Sequence, residues 1–477
     1  MALETHDAAA RDGGAGAAHP LRWRILGFLG VAQLMLILDV TVVAIALPHI
    51  ETDLGLGRQA VTWTVSAYTL TFGGLMLIGG RAADLFGARR VVLAGLLIFT
   101  VASLLTGLAG GAALLLGGRV AQGVGAALMS PSALSFVVHL FDGAERNKAL
   151  GVWSALGGGG AALGVLLGGA LTAGPGWPWV FYVNVPLGLV ILAALARMLP
   201  RQDVTVPRPR LDLLGAVLVT ASSGALIYAF VRAGDHGWIT GATGALALLA
   251  VAGYTMFVIR QKTARSPMMD VALLARRPVA TGTFLILMAT ALMIAVFFLG
   301  TFYFQHAEDY GALRTGLLFL PVAVATMLGA DLTGRAIARA GARRLAVAGL
   351  AVAAIGMAVP ALSMHPATVV AGTAVAGAGT GAMFVVASAT ALGQVAPHES
   401  GVASGIVSTF HEFGASIGAA VISSVAAASL AGETLSGFTD GFVLAAVAAA
   451  AGAVAAAVLT PGKSSGGVSI PGGTRST

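Results

Sequence analysis

"GRAADLFGARRVVLAGL", Gly80–Leu96, returns as "GRAIARAGARRLAVAGL", Gly334–Leu350, with ten of seventeen positions identical at an offset of 254 residues. Only 10% of the chain is charged, yet both copies gather arginines around a glycine between long apolar runs. Arg-rich loop chemistry alone would not reproduce "GRA", "GARR" and "AGL" in register. The chain therefore contains an internal duplication, and what the repeated hinge joins determines the fold.

The bulk composition says what those runs are. Of 477 residues 57% are hydrophobic, and the mean hydropathy is +0.90. A soluble domain carries roughly 25% charged residues, so an ordinary globular protein is excluded. About 20 apolar residues at 1.5 Å each cross a hydrocarbon core of about 30 Å. The 66 glycines fit helices that approach closely where lipid gives no hydrophobic drive between them. With no cysteine, disulfides, thiol nucleophiles and cysteine metal sites are excluded. The net charge of +7 does not point to nucleic acid, because the basic residues are scattered through short loops.

Apolar runs between charged or Gly/Pro breaks predict fourteen spanning helices in an all-α integral membrane protein. The run after Arg22 and Arg24 is too long for a signal-peptide core, so it reads as a retained first helix. With the N-terminus cytoplasmic, 23 of the 27 Lys and Arg residues fall inside; Arg58, Arg232 and Arg314 fall outside, and Arg119 lies within a span. That bias obeys the positive-inside rule, and adding or removing one helix would scramble it. Both hinges then lie on the cytoplasmic side, each joining an inward-running helix to the next outward-running one. Their offset covers eight helices, so the expected organisation is two six-helix bundles, 21–200 and 266–460, around an inserted pair in 201–265. Residues 1–20 and 461–477 read as polar, disordered cytoplasmic tails. Parallel repeats of this kind are a signature of one class of secondary transporter.

Several stretches, in this order and spacing, resemble the major facilitator superfamily, specifically its fourteen-helix drug:proton antiporters. "LDVTVVAIALP", Leu38–Pro48, is similar to the first-helix motif, and Trp63 with Tyr68 matches the second-helix pattern. "GRAADLFGARR" resembles the cytoplasmic hinge motif, with Gly80, Asp84, Gly87 and Arg90 in place. "RVAQGVGAALMSPSAL", from Arg119, resembles the fourth-helix motif. "ALGVLLGGAL" resembles the antiporter motif through Gly164, Gly168 and Gly169, and "WPWVFYVNVPLG" resembles the start of the sixth helix. There are departures. Val165 stands where the antiporter motif has proline, which keeps the close-packing surface and removes a kink. Pro178 replaces an arginine, and Ala338 takes the place of Asp84 in the second hinge copy.

Charges inside a bilayer cost about 2.5–3.5 kcal/mol each on the insertion scale, so they mark function or pairing. Asp39 in helix one and Arg119 in helix four lie at depths that permit an ion pair. The resemblance implies that breaking and remaking it couples protonation to transport; a static packing pair is the alternative. In "SGIVSTFHEFGASIG", Ile406, Phe410, Phe413 and Ile417 share one face, while His411 and Glu412 flank a small polar face near the midplane. Glu412 is a candidate to bind a proton or a cationic group, and His411 titrates near neutral pH in its ordinary state. A neutral Glu412 and a hydrogen-bonded structural His411 are the competing reading.

The resemblance further implies that Asp84, Arg89 and Arg90 form a charge relay or helix cap that locks the hinge side, with Gly80 and Gly87 serving close approach and a tight turn. Without it these charges read as ordinary solvated loop residues. Asp331 is expected to pair with the arginines of the second hinge copy, and Asp212 and Asp270 read as helix-end acids. Phe297 and Phe298, from "FFLGTFYF", are candidates for the apolar wall of a substrate cavity, while Tyr303 and Phe304 fit an interfacial aromatic belt. Tyr68 and Gln122 are candidate polar cavity residues by resemblance.

No Walker-type phosphate loop is present, and "LGGGGAALG" lies inside a span with no strand before it, so neither ATP-driven transport nor an enzyme is indicated. The expectation is a proton-coupled exporter of amphipathic small molecules in a bacterial plasma membrane. It would act as a monomer by alternating access, with the proton gradient as energy source and no cofactor. A narrow exporter of one endogenous metabolite, a non-transporting sensor on the same fold and an importer stand as rivals.

Overall fold

A computed structural model describes residues 21–141, 143–200, 212–393, 400–430 and 434–460. Both expected tails and residues 201–211 lie outside the described residues. Thirteen helices are long and apolar enough to cross a membrane, and Gly143–Ala173, with 31 residues, makes a fourteenth. No strand occurs among the described residues.

In chain order the helices are α1 Arg22–Leu54, α2 Arg58–Phe86, α3 Ala88–Gly107, α4 Ala112–Leu140, α5 Gly143–Ala173 and α6 Trp179–Met198. The two helices expected as an inserted pair are α7 Leu213–His236 and α8 Gly241–Thr263. Then come α9 Arg277–Ala307, α10 Ala312–Ala340, α11 Ala342–Leu362, α12 Pro366–Leu392, α13 Ser400–Val425 and α14 Ser436–Leu459. Helix α9 ends in a π-helical turn, Tyr303–Ala307, and α10 is interrupted at Phe319, just before Pro321.

The duplication reappears as geometry. Gly87 between α2 and α3 has φ 87° and ψ 130°, and Gly341 between α10 and α11 has φ 82° and ψ 149°. Backbone of that kind is open almost solely to glycine. At the same 254-residue offset, a Cβ on Gly123 would stand 2.7 Å from the Tyr68 carbonyl oxygen, and one on Gly377 would stand 2.8 Å from that of Val322. A Cβ on Gly95 would lie 2.7 Å from the Gly125 oxygen, and one on Gly349 would lie 3.2 Å from the Gly379 oxygen. Helix pairs α2–α4 and α3–α4 in the first half therefore pack as α10–α12 and α11–α12 do in the second. These crossings are built on small residues, which let backbones approach and gain van der Waals contact in lipid.

Charges at helix ends also fall where the sequence placed them. Asp212 caps α7, accepting from the Gly215 N–H at 3.1 Å, from Arg260 Nε at 3.0 Å and from Gln261 Nε2 at 2.8 Å. Asp270 accepts from the Ala272 N–H, and Asp331 pairs with Arg335 at 2.7 Å. Burial opposes the Asp212 carboxylate, but those hydrogen bonds and the Arg260 charge outweigh it and hold the group below its ordinary 3.8.

One boundary differs for a tertiary reason. The apolar run predicts an end to the first helix near Pro48, yet α1 continues to Leu54. The polar turn "HIETD" stays helical because it docks on the end of α9. His49 Nδ1 lies 3.1 Å from Gln305 Oε1, and the Gln305 Nε2 donates to the Ile45 carbonyl at 2.9 Å.

Candidate functional site

Arg119 and Gln122 are three residues apart on α4 and so share a face. Both are fully buried, and Asp39 on α1 is 2% exposed. Arg119 Nη1 donates to Asp39 Oδ2 and, at 3.0 Å, to Gln122 Oε1. Gln122 Nε2 donates to Asp39 Oδ1 and to Ser103 Oγ on α3, both at 2.9 Å. The Arg119 Nε donates to the Thr64 carbonyl at 2.8 Å, and its guanidinium carbon stands 4.4 Å over the Tyr68 ring and 6.0 Å from that of Phe181. Five helices of the first half thus meet on one ion pair.

Both carboxylate oxygens of Asp39 are occupied, as a buried charge requires. Removing one partner of such a pair costs about 3–5 kcal/mol, because the other is left uncompensated. Tyr68, fully buried, lies within electrostatic reach of Asp39, Arg119 and Glu412 alike.

Glu412 and His411 lie on different sides of α13. Glu412 is 8% exposed and packs against α2, where a Cβ on Gly73 would stand 2.7 Å from its own Cβ. Among the described residues its carboxylate accepts no hydrogen bond, which leaves it open to a proton or a cationic group. His411 turns into the second half, its Nδ1 3.1 Å from Thr290 Oγ1 and its ring 5.6 Å from Phe384. The Thr290 hydroxyl already donates to the Ile286 carbonyl at 2.9 Å, so it accepts from a protonated His411 Nδ1.

Other candidates are placed as follows. Gly164 of α5 packs on Thr41 and Gly168 on the Val42 carbonyl of α1, whereas Gly169 faces Ala312 of α10 in the other half. A Cβ on Gly80 would meet only Pro131 Cβ at 3.8 Å. The close approach falls instead on Gly79, seated on the Ala127 carbonyl. Gly87 makes the tight turn. Asp84 and Arg90 are exposed, and among the described residues Asp84 makes no ion pair. Arg89 donates to the Ala196 carbonyl of α6 at 2.6 Å. The hinge charges are therefore not joined as a relay in this structure.

Phe297 and Phe298 are each 2% exposed and pack on Phe319 and Phe302, at 5.1 and 5.0 Å between ring centroids. They sit in the packed core of the second half and not on an open wall. Tyr303 and Phe304 are also buried and do not form a lipid-facing belt. All four lie on α9, which neighbouring helices cover over most of its length.

The sequence reading missed a contact line between the halves. Thr62 Oγ1 lies 2.5 Å from Ser423 Oγ, and Thr69 Oγ1 lies 2.5 Å from Ser416 Oγ. Four residues further along α2, Gly73 meets Glu412. Helices α2 and α13 run antiparallel here, with hydroxyls recurring every seventh residue on each. That spacing was present in the sequence as a small-residue heptad.

Residues 29–419 match the Major Facilitator Superfamily. The chain belongs to that superfamily. Among its relatives, the puromycin resistance protein pur8 of Streptomyces alboniger is 37% identical over 408 residues, covering 84% of this chain and 80% of that protein. The cephamycin export protein CmcT of Amycolatopsis lactamdurans is 36% identical, covering 81% of each. The multidrug resistance protein Stp of Mycobacterium tuberculosis is 33% identical over 82% of this chain and 73% of its own. In fold, this superfamily member resembles a bacterial homologue of the human lysosomal transporter Spinster, with TM-score 0.64 at 16% identity over 92% of this chain and 98% of that one. It also resembles the POT family transporter PepTSo, with TM-score 0.65 at 16% identity over 91% and 97%. The protein is a multi-pass membrane transporter by family.

Proposed function

We propose that this transporter is a proton-coupled exporter of amphipathic organic compounds, antibiotics or other drugs among them, working by alternating access in a bacterial plasma membrane. The excess of Lys and Arg at the hinge end supports placing that end and both termini in the cytoplasm. The observation that carries the reading is the buried Asp39–Arg119–Gln122 cluster. Its ion pair is costly to keep in a membrane and costly to break, which suits a group that exchanges a proton for a partner. Inward proton flow supplies the work, about 2.3 kcal/mol per charge per 100 mV. Resistance and export proteins among the relatives support the outward direction and the drug class.

The puromycin, cephamycin and multidrug relatives leave two breadths open, and single-antibiotic names favour a narrow exporter as the second reading. The test is accumulation of a fluorescent lipophilic cation in efflux-deficient cells expressing the chain. Lower accumulation that a protonophore abolishes is expected. Accumulation equal to empty cells, with the protein confirmed in the membrane, would overturn broad drug export and leave the narrow reading to be tested with puromycin.

A further inference from the structure

Arg58 opens α2 at the end of the bundle away from the hinges, and its five N–H groups all find acceptors on other helices. Its Nε donates to Asp235 Oδ1 of α7 at 3.1 Å, and its Nη2 lies 2.5 Å from the same carboxylate. Nη2 also donates to the Val231 carbonyl at 2.8 Å, and Nη1 donates to both the carbonyl and the Oγ of Ser423 on α13 at 3.0 Å. The Ser423 carbonyl lies in the last turn of α13, where the helix dipole favours a cation, and the Val231 carbonyl lies one turn further from the end of α7. One guanidinium thus ties two helices together near their ends.

The hydroxyls beside it form a closed ring with a consistent proton count. Thr62 Oγ1 donates to the Arg58 carbonyl at 3.0 Å, so at its 2.5 Å contact with Ser423 Oγ it must accept. Ser423 Oγ in turn accepts from Arg58. The ring can exist only while α2 and α13, which belong to different halves, touch at this end.

Helix α7, one of the inserted pair, runs along that seam. Thr220 of α7 fills the space over Gly74 of α2, and a Cβ on Gly234 of α7 would stand 2.6 Å from Ser424 Cα of α13. Leu70, Ile227, Val231, Phe413 and Ala420 form one apolar cluster shared by the three helices. A long arginine at a membrane edge otherwise turns to water. The Asp235 carboxylate and the Val231 carbonyl hold it sideways, across the seam, toward α13.

We propose that Arg58 latches the outer gate and that the inserted helix α7, through Asp235, is the anchor that positions it. The inserted pair is then part of the gate and not a passive spacer. This rests on the alternating-access reading, but its test needs neither substrate nor proton gradient, so the two can fail separately.

The chain has no cysteine, so one reporter can be placed cleanly. Ser66→Cys, buried in the α2–α13 seam beside Ser416, is labelled from outside by a membrane-impermeant maleimide. Arg58→Met and Asp235→Asn, each added to the reporter, are expected to raise the labelling rate at least about threefold. The double variant is expected to do no more than Arg58→Met alone, since coupled groups are not additive. Arg58→Lys, which keeps the charge without the fork, is expected to fall between, and it serves if Arg58→Met does not reach the membrane. Faster labelling with Arg58→Met but an unchanged rate with Asp235→Asn would overturn the role of α7. No change with any variant would overturn the latch.

Discussion

The Cβ of Glu412 on α13 occupies the space where a side chain on Gly73 of α2 would begin, 2.7 Å from an ideal Cβ there, with the Thr409 carbonyl oxygen at 3.2 Å. The acid is thus held against the other half of the molecule by the absence of a side chain. Gly73→Ala pushes the two helices apart at mid-membrane, and overpacking of that kind costs about 1–3 kcal/mol. Export is expected to fall while the protein still reaches the membrane. Gly80→Ala, whose new Cβ meets only ordinary contact at 3.8 Å, is expected to keep it. Drug-accumulation assays on both variants at matched expression check the contrast.

The Asp39 cluster gives an ordered set of effects. Asp39→Asn leaves Arg119 with no counter-charge, and breaking a buried pair costs about 3–5 kcal/mol. Gln122→Leu keeps the pair but leaves Asp39 Oδ1 and Ser103 Oγ short of a donor, at about 1–3 kcal/mol. Asp39→Asn is therefore expected to lower Tm more than Gln122→Leu and to abolish protonophore-sensitive export. Asp39→Asn combined with Arg119→Gln is expected to recover part of the lost Tm without recovering export. Thermal unfolding of purified protein and the accumulation assay together check both halves of that statement.

Much of this site was readable because charge is scarce in the spans. Asp39 and Arg119 stand out of long apolar runs, and a three-residue spacing puts Gln122 beside Arg119. Ser103, the Thr64 carbonyl and Phe181 were not readable. A hydroxyl or a backbone oxygen leaves no mark in a helix rich in small residues, and an aromatic ring reads as core. The fourteen spans followed from hydropathy and the basic loops, and the repeat from residue identity at one offset. The last turn of α1 was missed because its polar residues are held by α9, which local pattern does not report. The burial of Phe297 and Phe298 was not readable, because a helix apolar on every side has no face to read.

Asp212 gives a pH effect with a definite sign. Its carboxyl is held below 3.8 in the folded protein, so the folded state binds its proton less readily than the unfolded chain. The stability it adds is complete above the unfolded value and is lost as pH falls through the lower folded one. At pH 7 Asp212→Ala removes a helix cap, about 1 kcal/mol, along with the Arg260 and Gln261 bonds. Its Tm is expected to lie below that of the parent at pH 7 and to converge on it as the pH drops under 3.8. Unfolding in detergent across that range checks the convergence.

The two hinges allow backbone and charge to be separated. Gly87 and Gly341 hold φ near 87° and 82° with extended ψ, where a side chain costs about 1–3 kcal/mol. Gly87→Ala and Gly341→Ala are expected to lower Tm by similar amounts, since the two turns are copies. Asp84 is exposed and has no ion-pair partner among the described residues, so Asp84→Asn removes nothing that this conformation uses. Its Tm is expected to stay within error of the parent. If closing the hinge end joins Asp84 to the arginines, export by Asp84→Asn falls at unchanged Tm. Unchanged export would assign the hinge charges to topology alone, since they already satisfy the positive-inside pattern.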